Sequence, residues 1–562
     1  MRRHVAKPVL YLFLAVFASW LLFPASATRA ETPKTLTIGI SQFPSTMHPS
    51  FDSMLAKTYI AAMARRPITV YDQDWQETCL LCTGLPDIED GTARFETTPD
   101  GKDGLAVDYT LDPDAVWGDG TPITTQDVLF TWDVGRNPQS GIDNFELYRR
   151  ILSIEVHDAR RFTLHWDRRT CDYKTINDFN LLPAHLEQAV FEEDPVTYRN
   201  RTAYDRAPAT DGLWFGPYKI SDVSPGSSIT LVRNPAWWGK KPYFDRIIVR
   251  TIENTAALVA NVLSGDIDMI AGEGGITMDQ ALSFERRHGD DFNILYKESL
   301  IYEHLDLMLD NPILQDLRVR QALLTGIDRD AISEKLFAGR QPVAHGSVNP
   351  LDSVYLDDVP KYAYDPEAAS NLLAEAGWTP GDDGIRRDSN GERLSLVLQT
   401  TAGNKTRELV SQVLQNQWKE IGVDVIIKNE PARILFGETI SQRKFTGMAM
   451  FAWFSSPRNV PRTTLHSEMI PTEENAWAGQ NYTGYADPEM DQILEDLELV
   501  CEPDKNQALW DRLQIKYAED LPVLPLYYRA DAFILPNWLK GVRPTGHQYP
   551  STYWIEEWYR ED

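Results

Sequence analysis

The stretch Trp117-Gly-Asp-Gly-Thr-Pro-Ile-Thr-Thr-Gln-Asp-Val-Leu-Phe-Thr131 joins a tight turn to the start of a helix. Gly118-Asp-Gly120 is typical of a turn, because glycine and aspartate are the residue types that turns use most. Thr124 is a residue type that caps helices, and the run that begins at Val128 continues a helical pattern. The stretch therefore predicts a turn followed directly by a helix.

The rest of the chain divides into a region that predicts mainly β-strands and a region that predicts alternating strands and helices. From about residue 70 to 205, short alternating segments such as 107–111 and 162–166 lie between turn clusters and predict β-strands. After about residue 300, strands and helices alternate, and the strand–helix–strand order of 394–428 predicts a parallel pair of strands with a crossover helix.

The apolar segment near the C-terminus carries three prolines. It spans residues 521–535 and is marked by Pro522, Pro525 and Pro536. Because proline cannot donate a hydrogen bond to a neighbouring strand, the sequence predicts that strands of this segment lie at the edges of a sheet.

Length and composition limit the classes of protein that fit. The chain has 562 residues, which predicts about three to five compact units. Its 43% hydrophobic and 24% charged residues are typical of a soluble globular protein. With 82 acidic against 55 basic residues the net charge is −27, and a field of that sign repels nucleic acids and anionic lipid surfaces. No nucleic-acid partner is therefore expected.

The first thirty residues have the three parts of a secretory signal peptide. Arg2, Arg3 and Lys7 form a basic start, an apolar run covers 9–23, and small residues follow at 24–27. We expect cleavage after Ala27 or Ala30 and an exported protein that does not insert into the membrane. The alternative is an uncleaved anchor, but a membrane span needs about 20 apolar residues and this run is shorter.

The four cysteines and the histidines predict no metal site. Cys79 and Cys82 have the spacing of a redox motif or half a zinc site, yet no second such pair exists. In an oxidising compartment this spacing favours a local structural disulfide. The sequence leaves open whether Cys171 and Cys501 pair. The ten histidines show no paired ligand spacing, and His48 is expected to face solvent.

Four further segments carry motifs in a fixed order: Gly216-Pro-Tyr218 with Leu231-Val-Arg-Asn-Pro-Ala-Trp-Trp-Gly239, Val262-Leu-Ser-Gly-Asp-Ile-Asp-Met269, Leu317-Arg-Val-Arg-Gln-Ala-Leu323, and Tyr364-Asp-Pro-Glu-Ala-Ala369 with Leu372-Leu-Ala-Glu-Ala-Gly-Trp378. Together with residues 117–131, they resemble the bacterial extracellular solute-binding proteins of family 5, which serve peptide and nickel ABC importers. The resemblance covers essentially the whole chain after the signal peptide.

This resemblance implies an α/β fold, the bilobal periplasmic-binding-protein type II fold with an extra β-rich subdomain. After a signal peptide at 1–30, the implied parts are lobe I at 31–70, 206–298 and 510–562, subdomain II at 71–205, and lobe III at 299–509. Two strands near 302–308 and 524–528 would cross between the lobes. Ligands in this family lie between the lobes, which close on them like a hinge.

The function implied is that of the periplasmic substrate-binding component of an ABC importer, capturing a peptide or related small polar solute. The implied partners are the membrane permease and its ATPase subunits, with the binding protein itself a monomer that has no cofactor and no enzymatic activity. One alternative is an exported solute sensor that reports to a receptor. A secreted hydrolase is the other, but the chain lacks Gly-x-Ser-x-Gly, His-Glu-x-x-His and a glycine-rich phosphate loop.

The family's peptide contacts are altered in this chain. Peptide-binding members hold the ligand's ammonium with an Asp after a Gly-Trp pair, and dipeptide binders hold its carboxylate with an Arg before the long helix. Here those positions correspond to Ser456 and Thr401. Because a buried ammonium without a carboxylate is costly, free dipeptides are disfavoured in that pose. We expect a neutral polar ligand, or an anionic one if Arg458 faces the cleft; longer or modified peptides held by their main chain remain open.

The candidate ligand-binding residues are taken from the first loop, the position before the long helix, and the segments around Trp453 and Tyr482. They are Phe43, Met47, Thr401, Trp453, Phe454, Ser455, Ser456, Arg458, Asn481 and Tyr482.

Overall fold

The structure is a computed structural model, and it describes residues 34–561. The predicted signal peptide lies outside these residues. The strands are β1 Thr35–Ile40, β2 Thr69–Tyr71, β3 Glu77–Cys79, β4 Ala93–Thr97, β5 Asp103–Thr110, β6 Ile151–Val156, β7 Arg161–Trp166, β8 Tyr218–Ser224, β9 Ser228–Arg233, β10 Arg246–Thr251, β11 Met269–Ile270, β12 Phe292–Leu307, β13 Thr379–Pro380, β14 Arg386–Arg387, β15 Ser395–Thr401, β16 Asp424–Glu430, β17 Met448–Phe454, β18 Val523–Pro536, β19 Leu539–Lys540 and β20 Tyr559–Arg560.

The α-helices are α1 Leu55–Ala64, α2 Thr125–Arg136, α3 Phe145–Arg149, α4 Ala184–Glu193, α5 Ala203–Arg206, α6 Thr255–Ser264, α7 Met278–His288, α8 Pro312–Gln315, α9 Leu317–Thr325, α10 Arg329–Phe337, α11 Pro366–Glu375, α12 Lys405–Glu420, α13 Ala432–Ile434, α14 Arg462–Leu465, α15 Pro488–Leu499 and α16 Pro503–Asp520. Short 3₁₀ turns lie at Tyr198–Asn200, Ser467–Met469 and Ser551–Glu557, and a π-helical turn at Leu435–Ile440.

The predicted turn and helix at 117–131 are present. Gly120 has a φ of 87°, which only glycine adopts without strain. Thr124 caps α2, and the Asp127 side chain accepts a hydrogen bond from the Thr124 backbone N–H at 2.8 Å, completing a capping box. The residues that form this turn and begin this helix therefore all lie within the predicted stretch.

One ten-stranded mixed sheet organises most of the chain, and a four-stranded sheet lies in the β-rich part. The order in the large sheet is β16-β15-β17-β12-β18-β11-β1-β10-β9-β8, and in the small one β4-β5-β7-β6. The predicted crossover is confirmed, since β15 and β16 are parallel and α12 connects them. Mixed strand directions with flanking helices make this an α/β fold.

The two long central strands join the halves of the large sheet. β12 and β18 are antiparallel neighbours, and their pairing shifts register between Glu298 and Tyr302. Beyond that shift, residues 301–307 of β12 also pair with β17, whereas the far end of β18 pairs with β11. These strands are the physical connection between the two sides.

The prediction that the proline-rich segment lies at a sheet edge is wrong. β18 is central, between β12 and β11. Pro525 pairs with His304 immediately after a second register shift, and Pro536 is the last residue of the strand. A bulge and a strand end both tolerate a residue without an N–H, so the ladder is kept on both sides.

Each side of the molecule has its own apolar core. The largest core cluster draws on β1, α1 and most of the β-rich part, including Trp117, Tyr148 and Trp214. A second cluster packs helices α9 to α12 against β15 and β17, with Trp418 fully buried. A cleft can therefore form between the two clusters without exposing either, although the predicted domain boundaries themselves stay predictions.

Two disulfides are formed. Cys79 is joined to Cys82, as predicted, with their Cα atoms 5.1 Å apart. Cys171 is joined to Cys501 across 330 residues of sequence, with Cα atoms 5.3 Å apart, which decides the pairing that the sequence left open. Across residues 34–561, no helix has both the length and the apolar character needed to cross a membrane.

Candidate ligand-binding cleft

A cavity of about 510 Å³ lies between the two sides of the molecule. One wall is formed by the segments 41–65 and 142–180, and the opposite wall by 451–464 together with Tyr482 and Glu498. Residues Leu300 and Tyr302 of β12 close its floor. Segments separated by hundreds of residues therefore surround one space, which has the volume of a small-molecule site.

Trp453 presents a partly exposed indole to this cavity. The ring is nearly parallel to that of Tyr482, at 21° with centroids 5.8 Å apart, and lies edge-on to Phe451 at 5.3 Å. It also lies over the buried His304 ring, nearly parallel to it. Because its neighbours fix its orientation, the indole is ready to stack on a ligand without first being ordered.

The backbone directly after β17 is hydrogen-bonded to two other segments of the chain. The Ser455 N–H donates to the carbonyl of Leu300 at 3.0 Å, and the Ser455 carbonyl accepts from the Gln548 N–H at 2.8 Å. Ser456 is buried, and its hydroxyl accepts a long hydrogen bond from the Gln548 amide at 3.4 Å. Phe454, Ser455 and Ser456 all line the cavity, as does Tyr482.

Arg458 also lines the cavity, but it is hydrogen-bonded to other residues of the protein. Its guanidinium donates from Nη2 to Asn506 Oδ1 at 2.9 Å, and its backbone N–H donates to Asp352 at 2.8 Å. Its φ of 54° is unusual for a residue other than glycine. The side chain is thus turned toward α16 and not fully available to a ligand.

Four candidates from the sequence are not among the cavity-lining residues: Phe43, Met47, Thr401 and Asn481. Phe43 and Met47 pack in the largest core. The Asn481 amide donates to two backbone carbonyls, at 3.0 and 2.7 Å, and the Thr401 hydroxyl accepts from Arg407 at 3.2 Å. Because the fold already uses these polar groups, ligand contact by these four residues stays a prediction.

The prediction that His48 faces solvent is wrong. The ring is fully buried, stacked on Phe51 at 3.9 Å, with Nε2 3.3 Å from the hydroxyl of Tyr198. Burial lowers the pKa of His48 well below its usual value, and the charges of Lys57 and Arg199 lower it further. Tyr198 comes from a part of the chain 150 residues away, which no local pattern reveals.

The sequence reasoning missed the charged residues of the cleft, because acidic and basic residues are common throughout the chain. The basic ones lining the cavity are Lys57, Arg65, Arg150, Arg407, Arg458, Arg462 and Arg529. The acidic ones are Asp143, Glu146, Asp172, Asp178, Asp352 and Glu498. Both signs are therefore available to a ligand, and no spacing in the sequence brings them together.

Four of these seven basic residues and two of the six acidic ones form ion pairs within the protein. The buried carboxylate of Glu303 accepts from Arg407 at 2.6 and 3.1 Å and from Arg529 at 3.2 Å. Burial alone raises the pKa of Glu303, but these two guanidinium groups outweigh burial and hold the pKa below its usual value. The triad links β12, β18 and α12 beside the cavity, because each element contributes one of its members.

Burial changes the pKa of several other cavity groups. It lowers the pKa of Lys57 to about 8, although nearby Asp143 and Asp52 oppose the change. The Lys57 ammonium donates to the carbonyl of Pro49 at 3.2 Å and also to that of Phe51. Burial raises the pKa of Asp172 to about 6, and the neighbouring charges of Glu77 and Glu498 add to the shift.

The cleft offers rings, hydroxyls, amides and paired charges, which can bind a polar solute. Within residues 34–561, no group of three or more His, Cys, Asp or Glu side chains is placed to hold a metal ion.

Comparison with known proteins identifies relatives over most of the chain. Oligopeptide-binding protein AppA of Bacillus subtilis is 27% identical over 469 residues, 81% of each chain. A putative ABC transporter peptide-binding protein of Brucella ovis is 27% identical over 389 residues, 67% of each. The crystal structure of an oligopeptide-binding protein from Thermus thermophilus, complexed with a pentapeptide, superposes with a TM-score of 0.84 at 30% identity. That superposition covers 93% of this chain and 96% of the other.

The sequence profile described as "Bacterial extracellular solute-binding proteins, family 5 Middle" matches residues 97–467, which is more than half of the chain. The match includes the turn–helix stretch at 117–131 and ends beyond the cavity wall at 451–464. The chain therefore belongs to the bacterial extracellular solute-binding proteins of family 5.

Proposed function

We propose that this protein is the periplasmic substrate-binding component of an ABC importer. It is exported, cleaved near Ala27 or Ala30, and captures a peptide or related small polar solute between two lobes that close like a hinge. The closed form delivers the solute to a membrane permease that works with ATPase subunits. The protein acts as a monomer, and it binds its solute without chemical conversion.

The observation that carries this proposal is the cavity between the two walls. A volume of about 510 Å³ is large enough for a short peptide segment or a solute of similar size, and both walls contribute rings and charges to it. For a ligand to enter, the walls must separate. β12 and β18 run continuously from one side to the other, so a small change near their register shift, between Glu298 and Tyr302, would move one wall relative to the other.

The chemistry of the walls limits the ligand class. Ser456, at the position where peptide-binding relatives hold an ammonium with Asp, offers a buried hydroxyl in place of a carboxylate. A ligand held by its main chain and by stacking on Trp453 fits these walls better than a free dipeptide held in the same pose. The walls bring hydrogen-bonding groups and aromatic rings together, and these are sufficient to capture and release a polar solute.

The experiment that tests the proposal identifies what the protein carries. Protein purified from the periplasm is denatured, and the released small molecules are identified by mass spectrometry. We expect one or a few peptides or polar solutes near one equivalent. Returning them to refolded protein should give saturable heat in calorimetry, and the recovered ligand should be chemically unchanged.

Two results would contradict the proposal. If no small molecule is released, and the refolded protein retains nothing from a peptide mixture, the solute-binding role of the cavity fails. If the added ligand is converted to another compound, the protein is an enzyme.

A further inference from the structure

Arg65 stands apart from the other basic residues of the cavity. It follows α1 directly, lines the cavity, and is only 5% exposed. Its Nε and Nη2 atoms are buried and have no hydrogen-bond partner. Among residues 34–561, no carboxylate lies within ion-pair distance of its guanidinium, whereas every other basic residue lining the cavity has a hydrogen-bond or ion-pair partner.

The partners of those other residues confirm the contrast. Arg150 and Arg462 pair with Glu146, at 3.1 and 3.5 Å, and Arg407 and Arg529 share Glu303. Arg462 also has two buried nitrogens without a hydrogen bond, but unlike Arg65 it lies within ion-pair distance of carboxylates. Lys57 donates to two backbone carbonyls, and Arg458 donates to Asn506.

The next residue in the chain is an internal control. Arg66 is also buried, but it donates to the carbonyls of Ala62 and Arg65 and pairs with Glu556 at 2.6 Å. It also lies over the ring of Trp237. The fold thus satisfies the structural arginine completely and leaves its neighbour, which faces the cavity, without an anion.

The surroundings of Arg65 favour an anion as its partner. A buried guanidinium without an acceptor is unfavourable, because it has lost water without gaining a replacement. The positive charges of Lys57 and Arg65 lie on the same wall and both lower the pKa of the buried His48, after burial itself. Asp178 lines the same cavity and is not within ion-pair distance of Arg65. Its carboxylate accepts from Asn144 at 3.4 Å, and burial raises its pKa although the charges of Arg65 and Lys57 oppose the change.

We infer that Arg65 binds a carboxylate of the ligand, so that the cleft selects anionic or zwitterionic peptides and related acids. This inference rests on the proposed function and names the ligand class of the same cavity. The residue that selects an anion is then Arg65, on the wall opposite Arg458, because Arg458 is already hydrogen-bonded to Asn506. Guanidinium–carboxylate pairing is the strongest polar contact available to such a ligand.

The test uses two synthetic peptide libraries of three to six residues. The first has free C-terminal carboxylates and contains Asp and Glu; the second is C-terminally amidated and contains Asn and Gln in their place. Refolded ligand-free protein is mixed with each, and retained peptides are quantified by mass spectrometry. We expect the wild type to retain the acidic library at least tenfold better, and Arg65→Gln to lose this preference.

Arg65→Lys, which keeps the charge, should recover part of the preference, and this variant guards against a folding defect in Arg65→Gln. Arg161→Gln is the control, because Arg161 is largely exposed and does not line the cavity, and it should keep the full preference. An unchanged preference in Arg65→Gln overturns the role of Arg65, and so does an equal loss in Arg161→Gln, because the effect would then not come from the cavity. Equal retention of both libraries by the wild type overturns anion selection but leaves peptide binding intact, whereas retention of neither overturns the proposed function as well.

A second inference follows from the Cys171–Cys501 disulfide. Cys171 follows β7 in the wall that carries residues 142–180, and Cys501 lies between α15 and α16 on the opposite side. Polar contacts cross at the same place: the Cys171 N–H donates to the Glu498 carbonyl at 3.0 Å, and Arg149 pairs with Glu468 at 3.0 Å. The two walls are therefore joined covalently here as well as through β12 and β18.

The geometry points to a covalent limit on opening. A hinge motion that separates the walls would pull Cys171 from Cys501, and an intact disulfide holds their Cα atoms within about 7 Å. The oxidised protein can therefore open only as far as the loops on either side of these cysteines extend. The Cys79–Cys82 disulfide closes a local turn, and it places no such limit.

Small-angle X-ray scattering of ligand-free protein tests this limit. We expect a larger radius of gyration for Cys171→Ser/Cys501→Ser than for the wild type, with no change for the control Cys79→Ser/Cys82→Ser. Wild type reduced with dithiothreitol should shift in the same direction as the first variant, which guards against misfolding of that variant. Equal radii in all four samples would show that the disulfide does not limit opening.

Discussion

Replacing Glu303 by Gln should destabilise the protein strongly. Glu303 is 2% exposed, and its two carboxylate oxygens accept three hydrogen bonds from Arg407 and Arg529. Gln keeps the shape but removes the charge, so two poorly solvated guanidinium groups lose their anion. Breaking a buried ion pair by changing one partner costs about 3–5 kcal/mol, and this triad is of that kind.

Denaturation by guanidinium chloride, followed by tryptophan fluorescence, measures this loss. The midpoint should fall with an unchanged slope, which indicates a change in stability and not in the surface exposed on unfolding. Glu298→Gln is the matched control, because Glu298 lies on the same strand and is exposed, and it should change stability by less than about 0.5 kcal/mol. A loss below about 1 kcal/mol for Glu303→Gln would refute the reasoning.

The pH dependence gives the same prediction a second readout. Since the pKa of Glu303 is lower in the folded protein than its usual value, its stabilising contribution is present above the unfolded pKa of about 4.3. That contribution is lost as the pH falls through the folded pKa. The stability difference between the wild type and Glu303→Gln should therefore be largest near neutral pH and should shrink in acid.

Three further predictions concern the cleft, a buried acid and the disulfides. Trp453→Ala should weaken binding of the released ligand about two- to tenfold in calorimetry, because stacking adds about 0.5–1.5 kcal/mol beyond buried area; unchanged affinity would place the ligand elsewhere. Burial, with the charge of Glu273, raises the pKa of Asp531 to about 8, so its neutral form is favoured in the folded protein and stability is lost as the pH rises from about 4 through 8. Asp531→Asn should therefore gain stability over the wild type across that range, as measured by thermal unfolding at each pH, and a pH-independent difference would contradict it. Finally, alkylation without reduction should label none of Cys79, Cys82, Cys171 and Cys501, and labelling after reduction should reach all four; a free thiol in the oxidised protein would be the contrary result.

The sequence by itself determined what depends on near neighbours in the chain. The capping box at Thr124 and Asp127 and the crossover around α12 were predictable, because turns, caps and periodicity act within a few residues. The Cys79–Cys82 disulfide has the same origin. Ordered motifs over the whole chain also indicated the family. Trp453 and Ser456, singled out from the sequence, line one cavity, while their contact with a ligand stays a prediction.

Only the tertiary structure decided what depends on distant partners. The central place of β18 follows from a register shift at Pro525, which compensates for its missing N–H and cannot be inferred from the proline alone. Cys171 meets Cys501 across 330 residues, and Glu303 meets two arginines contributed by other elements. Arg65 and Arg66 are adjacent and chemically identical in the sequence. Packing gives one of them a carboxylate and leaves the other facing the cavity, because burial and hydrogen-bond partners are properties of the folded chain.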